Sequence, residues 1–504
     1  MPEFIDMQQF LLYNGMYKIR WGKKWFFMKS NKKNNAIRFV SLIIDMLIVF
    51  GGFLLANHIT IYFTGADCFS QINAGVVCVC VAFFFFMFDL YDIKEGTRES
   101  TMISAILSSL ASVIVSAILS IFGDAFIAKA GFLRFTLVFT LILFVLLALC
   151  LVIWRLLFSF AIVRFREKNK ILILESSTVP TRLARKIKYS CNNINEAWYY
   201  VVDEEKDGEA QYIVDNVIPR YDVVYISAQL SEKFQDKIFE SCVISGKTVN
   251  LLATPSNVSL MGGKIMQFAD TPVIEIGNIY LSRSQRFFKR IFDVFVALVG
   301  IILTSPVYLI LPILIKLDSE GPVFYTQERY TIGKKCFNLY KFRTMRTDAE
   351  KNGEMFSQKD DPRVTKVGKV IRALRLDEIP QFINILVGDM SVVGPRPERP
   401  VFADEFCEKV KNYSLRYTMK AGLTGYAQVY GKYNTRVSDK ILLDMIYAIK
   451  YSFWLDIKLI ILTIRTMFMK ESTEGVDEET ERILNTPERE SERIKSSADH
   501  LKMN

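Results

Sequence analysis

Two acids stand side by side at Asp377 and Glu378 in "LRLDEIPQ", with Arg372 and Arg375 just upstream. A carboxylate beside arginine keeps its charge, so it remains available as a nucleophile or a metal ligand. The second acid of such a pair can hold a hard cation through oxygen, and Mg²⁺ suits a site that handles phosphorylated substrates. The chain has only two histidines, His58 and His500. That argues against a Ser-His or Cys-His nucleophile and against a His-rich zinc centre, leaving acid–base and nucleophilic work to carboxylates, Lys or Tyr. The eight cysteines form no CxxC pair and read as reduced structural thiols. Most Asp-Glu dipeptides are surface pairs, so the weight must come from what surrounds this one.

The elements that would position the pair are largely membrane-bound. Of the 504 residues, 51% are hydrophobic, concentrated in long uncharged runs. Ile37–Phe63, Ile72–Leu90, Thr101–Phe122 and Phe132–Phe160 are each long and apolar enough to cross a bilayer, which needs about 20 residues. Lys and Arg precede the first run and follow the fourth, while the intervening loops at 64–71 and 123–131 hold a single Lys129. The positive-inside rule then puts both ends of the bundle in the cytoplasm. The net charge of +10 suits anionic headgroups or phosphorylated substrates, and no nucleic-acid-binding signature accompanies it.

From Lys170 to Ser282, "KILIL", "AWYYVVD", "YDVVYIS" and "KTVNLLA" read as strands. "TRLARKIKYS" and "EKFQDKIFESC" read as helices between them, an α/β rhythm with a parallel sheet. The turn after the first strand, "ESSTVPT", lacks the glycines of a dinucleotide loop, which points to a Rossmann-like domain with a regulatory or dimerising role. Ile291–Ile315 is long enough to span, but Ser305-Pro306 interrupts it and basic residues flank both sides. A bent helix that enters one leaflet and returns fits that pattern. "IKLIILTIRTMFM" near the C-terminus is too short to cross and reads as an interfacial helix, with Lys458 and Arg465 at its polar edge. Beyond Lys470 the composition turns acidic and polar, which predicts disorder.

Four further stretches follow in order around the acid pair: "KFRTM", "DPRVTKVGKVIRALRLDEIPQ", "GDMSVVGPRP" and "GLTGYAQVYGK". Together they resemble the bacterial sugar transferase family, monotopic polyprenyl-phosphate phosphoglycosyl transferases, over about Ser282 to Lys470. The whole chain is similar to that family's large form. The resemblance implies five segments: a basic cytoplasmic stretch (1–36), a four-helix membrane region (37–165), a Rossmann-like domain (166–281), a catalytic domain (282–470) and a disordered tail (471–504). The implied fold is an α-helical transmembrane bundle, an α/β cytoplasmic domain and a mainly α-helical, membrane-embedded catalytic domain with a re-entrant helix.

The resemblance also implies chemistry. Asp377 would attack the sugar-side phosphorus of a UDP-hexose, expelling UMP, and the phosphosugar would pass to undecaprenyl phosphate. Glu378 would bind Mg²⁺, Arg372 would hold phosphate, and Lys341 and Asp444 would complete the active site, Asp444 being the next candidate nucleophile. Pro395, Arg396 and Pro397 match a uridine-nucleotide site, and Ser305-Pro306 the helix break. Arg375 stands where many members have a small polar residue, which bears on phosphate contacts, and "VYGKYN" replaces a commoner "VNGR". The implied setting is the bacterial inner membrane, in contact with its lipids, with the catalytic face cytoplasmic and the chain paired as a homodimer. Glucose or galactose is the expected sugar, for exopolysaccharide, capsule or O-antigen-type glycan. The rival reading is a non-catalytic scaffold or regulator of polysaccharide assembly. A haloacid-dehalogenase-type phospho-aspartate is excluded, because "DEIPQ" does not supply its DxDx[TV] loop.

Overall fold

The computed structural model describes residues 16–20, 31–65, 71–91, 98–125, 132–165, 170–176, 196–268, 271–276, 279–349, 361–431 and 435–469. Among these, one compact unit draws on positions up to 48 and on 149–254, and the other on 49–148 and 255–469. The disordered tail, the helix "TRLARKIKYS" and most of the turn "ESSTVPT" lie outside the described residues.

Four long helices lie between residues 31 and 165: α1 (Asn31–Thr64), α2 (Gln71–Met87), α3 (Arg98–Ala125) and α4 (Phe132–Phe165). Three of them contain stretches long and apolar enough to cross a membrane, at Phe39–Thr64, Ser100–Ile118 and Val138–Phe158. The second expected span is shorter, an apolar helix over Ala74–Met87. It stops because Asp89 adopts a left-handed backbone (φ 56°) and turns its carboxylate to Lys458 at 2.6 Å. Ser104, Ser108, Ser109 and Ser112 line a buried face of α3, where three of their hydroxyls bond carbonyls one turn back and let neighbouring helices approach closely. Hydropathy alone missed a further feature: Asp45 of α1 and Arg155 of α4 form a buried ion pair at 2.5 Å. Each neutralises a charge that apolar surroundings would otherwise penalise.

The first unit carries a five-stranded sheet in the order β1-β3-β2-β4-β5. Its strands are β1 (Met16–Arg20), β2 (Ile171–Ser176), β3 (Glu196–Val202), β4 (Val223–Ile226) and β5 (Thr248–Leu251). β3, β2, β4 and β5 run parallel, and β1 adds antiparallel to β3 at the edge. Every residue of β2 is buried, as a central parallel strand covered on both faces requires. The expected helix at "EKFQDKIFESC" is α5 (Glu232–Ile244), which packs Phe234, Ile238 and Cys242 onto the sheet. Burial of Leu172, Leu174, Val224 and Ile226 contributes about 1.5–3 kcal/mol each.

In the second unit, α6 (Arg283–Leu303) begins with a capping box between Ser282 and Gln285. It is followed at once by α7 (Ser305–Asp318), bent away by 59°. Pro306 cannot donate to the preceding turn, so the carbonyls it orphans need other partners. The Ser305 hydroxyl donates to Ile302 O (2.8 Å), the acceptor that Pro306 leaves, and the Thr304 hydroxyl adds a second bond to Gly300 O (2.7 Å), which Thr304 N–H also reaches. The exposed side of the pair is apolar, with Phe295, Ile302, Leu309, Ile313 and Leu317 all open.

Two antiparallel hairpins follow, β6–β7 (Lys264–Phe268, Thr271–Glu275) before the bent pair and β8–β9 (Phe324–Tyr330, Cys336–Phe342) after it. Then come α8 (Lys366–Ala373), α9 (Gln381–Val387), β10 (Met390–Val393), α10 (Pro400–Lys409), β11 (Ala421–Thr424), α11 (Val437–Ile449) and α12 (Phe453–Met467). β10 and β11 pair in parallel. The expected interfacial helix is α12, but its basic edge does not face outward. Lys458 binds Asp89, and Arg465 donates to Phe88 O at 3.0 Å, so both dock on the end of α2.

Candidate active site

The acid pair lies in a single 3₁₀ turn, Leu376–Glu378, between α8 and α9. α8 starts where Thr365 accepts a hydrogen bond from Gly368 N–H, and it ends with Arg372 in its last turn. Arg375 then adopts a left-handed backbone (φ 56°, ψ 20°) to send the chain into the dyad turn. A non-glycine residue there carries local strain, a feature that clusters at functional sites. Pro380 closes the turn and α9 leads away.

Three contacts hold this turn. Asn384, fully buried on α9, accepts from Tyr340 N–H (3.0 Å) and donates to Asn338 O (2.7 Å), which locks α9 onto β9. The Tyr308 hydroxyl of α7 donates to Ile379 O at 3.1 Å, joining the bent pair to the residue after the dyad. Phe382 lies against Gly300 of α6, where an added Cβ would come within 2.6 Å of the ring. The dyad is thus seated beside the helix break.

Lys341 and Arg396 converge on the pair. Lys341, near the end of β9, places its Nζ 3.4 Å from Glu378 Oε1 and 4.0 Å from Asp377 Oδ2. Arg396 Nη2 lies 3.0 Å from the same Glu378 oxygen. Both acid side chains are only 13% exposed, so these charges interact with little solvent between them. Burial alone would raise Glu378, but Arg396, Lys341 and Arg375 outweigh it and hold the carboxyl well below its usual range. Burial instead prevails at Asp377 and pushes it up, Lys341 opposing and Glu378 adding to the rise. Burial also lowers Lys341. The two adjacent carboxyls are thus shifted in opposite directions by their surroundings, a perturbation of the kind that clusters at functional sites.

Arg372 is placed less directly than the sequence suggested. Its Nε donates to the Thr344 hydroxyl at 2.8 Å, while its charge still acts on Asp377. Asp444 is brought elsewhere: buried on α11, it receives Arg416 Nε at 2.8 Å and is not among the groups that touch the dyad. Ser305 and Pro306 form the observed break.

Pro395, Arg396 and Pro397 form the turn after β10, and glycine packing explains its local sequence. A Cβ on Gly422 would stand 2.1 Å from Gly394 N, and one on Gly394 would stand 2.2 Å from Lys420 O. The two backbones touch, so "GPRP" and "GLTG" interlock only as glycines. A shallow depression lies beside the turn, lined by Tyr330, Arg396, Arg416 and Tyr417 among others. Sequence reasoning missed Arg329, Arg416, Asn384 and Tyr308. Asn384 alone left a trace, as an amide set among apolar residues in "FINILV".

The donor set fits Mg²⁺. Two adjacent carboxylates are hard oxygen ligands, and this ion is commonly held by one or two acids together with substrate phosphates. Among the described residues no cluster of three or more His, Cys, Asp or Glu could hold a metal, so substrate oxygens and water would have to complete the shell.

Residues 284–470 match the bacterial sugar transferase family. A UDP-N-acetylgalactosamine-undecaprenyl-phosphate N-acetylgalactosaminephosphotransferase of Aeromonas hydrophila is 43% identical over 196 residues, covering 38% of this chain and 46% of the relative. A UDP-glucose:undecaprenyl-phosphate glucose-1-phosphate transferase of Escherichia coli (strain K12) is 32% identical over 255 residues, 49% of this chain and 55% of the relative. An enzyme of the same description from Caulobacter vibrioides is 35% identical over 189 residues, 36% of this chain and 71% of the relative. The chain spans about half the length of the first two.

Proposed function

The chain belongs to the bacterial sugar transferase family, and from that premise we propose that it transfers a hexose-1-phosphate from a UDP-sugar to undecaprenyl phosphate, releasing UMP. The observation that carries this reading is the buried Asp377-Glu378 turn with Lys341 and Arg396 converging on it. An Asp377 carboxylate oxygen attacks the sugar-side phosphorus. The bond to the bridging oxygen breaks, and UMP departs with the electron pair. An oxygen of the lipid phosphate then attacks the same phosphorus and frees the carboxylate. Splitting the transfer in two avoids bringing two bulky anions together at once. Lys341 and Arg396 offset charge on the phosphoryl oxygens, and Glu378 would hold Mg²⁺, which when bound neutralises diphosphate charge.

In this reading residues 282–470 are the catalytic domain, and the reaction is the first membrane step of exopolysaccharide, capsule or O-antigen-type glycan synthesis. The four parallel strands of the first unit belong to a Rossmann-like regulatory or dimerising domain, and the protein works as a homodimer in the bacterial inner membrane. The related enzymes act on N-acetylgalactosamine and on glucose, so the donor panel must include N-acetylated sugars. Purified protein given undecaprenyl phosphate, Mg²⁺ and a panel of UDP-sugars will release UMP with one donor preferred. Release with none of them would favour the scaffold reading.

The bent pair α6–α7 is a re-entrant element that keeps the dyad at headgroup depth on the cytoplasmic side. Its support is the 59° bend, the hydroxyl-satisfied break and the apolar outer face. In whole cells, Ser284→Cys before the pair and the native, exposed Cys336 after it will both escape an impermeant thiol reagent when each is the only cysteine. Labelling of Cys336 alone would mean a full crossing.

A further inference from the structure

The GPRP turn is held by its carbonyls. Pro395 O accepts from Gly422 N–H (2.9 Å), and Glu398 O accepts from Tyr330 N–H (3.2 Å). Between them, Arg416 Nη2 donates to Arg396 O and Arg329 Nη1 to Pro397 O, each at 3.1 Å. Four successive carbonyls are therefore fixed, two of them by arginine side chains from distant segments. The guanidiniums are themselves anchored. Arg416 donates to Asp444 (2.8 Å) and to the Tyr413 hydroxyl (2.9 Å), and Arg329 donates to Gln327 Oε1 (2.7 Å). Glu398 lies between them, one carboxylate oxygen 4.0 Å from each arginine. Arg396 by contrast leaves 42% of its side chain exposed, so its aim at Glu378 depends on where its backbone is held.

We infer that Arg329 and Arg416 are positioning residues. By clamping the carbonyls on either side of Pro397, they fix Arg396 where its guanidinium can leave Glu378 for the diphosphate of the donor. Asp444 acts one step further out, by holding Arg416. This inference rests on the proposed function and deepens it, because it gives Asp444 and two unassigned arginines a task at the donor site. Lysine in place of either arginine keeps the charge but cannot present the planar fork that reaches anchor and carbonyl together.

The test is coupling to Arg396, read by calorimetric binding of UDP and by KM for the preferred UDP-sugar, on the full chain in lipid nanodiscs. Arg416→Lys is expected to weaken UDP binding and raise KM by about tenfold, since a small displacement of a binding group costs that much or more. Arg396→Ala should do at least the same. The double variant Arg396→Ala/Arg416→Lys should then be no worse than Arg396→Ala alone, because the second change acts only through the first. Losses that multiply would overturn the inference, as would unchanged affinity in Arg416→Lys. Arg329→Lys carries the same cycle should Arg416→Lys fail to fold. A wild-type protein that binds UDP with coupled losses yet releases no UMP would sink the proposed reaction and leave the clamp standing. One that binds no UDP would sink both.

Discussion

Replacing Asp377 with Asn will abolish the release of UMP that the proposed reaction predicts for the wild-type protein with UDP-sugar and Mg²⁺ in the absence of any lipid acceptor. If Asp377 is the nucleophile, that release is a burst of about one equivalent per active site, since the phosphosugar stays on the carboxylate until polyprenyl phosphate arrives. Asn keeps the shape and removes the anionic oxygen, and the expected loss exceeds about 10³-fold. Glu378→Gln should instead slow the burst and weaken its dependence on Mg²⁺. The pH profile supplies an independent reading. Burial holds Asp377 above the ordinary carboxylate range, Lys341 being the leading group that pulls it back. A nucleophile that must be ionised therefore loses rate on the acid side at higher pH than an exposed aspartate would. Lys341→Met removes the opposing cation, so the acid limb must move to still higher pH, apart from any loss in amplitude. A single-step attack by the lipid phosphate predicts no acceptor-free UMP. An undiminished burst in Asp377→Asn would place the nucleophile elsewhere, and Asp444 is a poor substitute because Arg416 already occupies it.

The parts of this site that were legible in the sequence are those written in neighbouring residues. The dyad, its arginines and the stiff Pro-Arg-Pro turn are each contained in a few positions, and the structure brings Asp377, Glu378, Lys341 and Arg396 together. The same holds for the helix break, since a proline and two hydroxyl residues declare it locally, and for the parallel strands, whose apolar runs are short and bounded. Pairings between distant residues were not legible. Asp45 and Arg155, Arg416 and Asp444, and Lys289 and Asp456 each find one another across the chain, and neither partner's neighbourhood names the other. Asp444 is of this kind: the resemblance implied a place for it in the active site, and nothing in its neighbourhood announced Arg416, the residue it meets in the structure. The end of the second apolar helix was hidden for a related reason. Hydropathy runs on to Leu90, while the helix ends at Met87 and Asp89 turns left-handed to meet Lys458.

Lys289→Met will be among the most destabilising single substitutions in the second unit. Lys289 is buried on α6 with its Nζ 2.7 Å from Asp456 and 3.8 Å from Asp293, above the rings of Tyr447 and Tyr451. Asp456 also accepts from the Tyr447 hydroxyl (2.6 Å), and Asp293 accepts from the Ser391 hydroxyl and Val392 N–H (both 3.0 Å). One cation thus balances two buried acids that tie α6, α11, α12 and β10 together. Removing it leaves uncompensated charge in the interior, at about 3–5 kcal/mol. For a unit of this size that lowers the melting midpoint by on the order of 10 °C. The sign of its pH dependence follows from Asp456, which burial already raises and Lys289 pulls down. Without the lysine, Asp456 rises further in the folded state, so folding takes up a proton and the deficit shrinks as pH falls. Lys289→Met combined with Asp456→Leu removes the pair as a whole and should recover much of the loss, since an apolar replacement of a buried ion pair is often neutral. Thermal unfolding of the three variants in nanodiscs at neutral and mildly acidic pH decides the matter. A double variant less stable than Lys289→Met, or a deficit that grows with acid, would mean the lysine contributes through packing of its methylene stem rather than through charge.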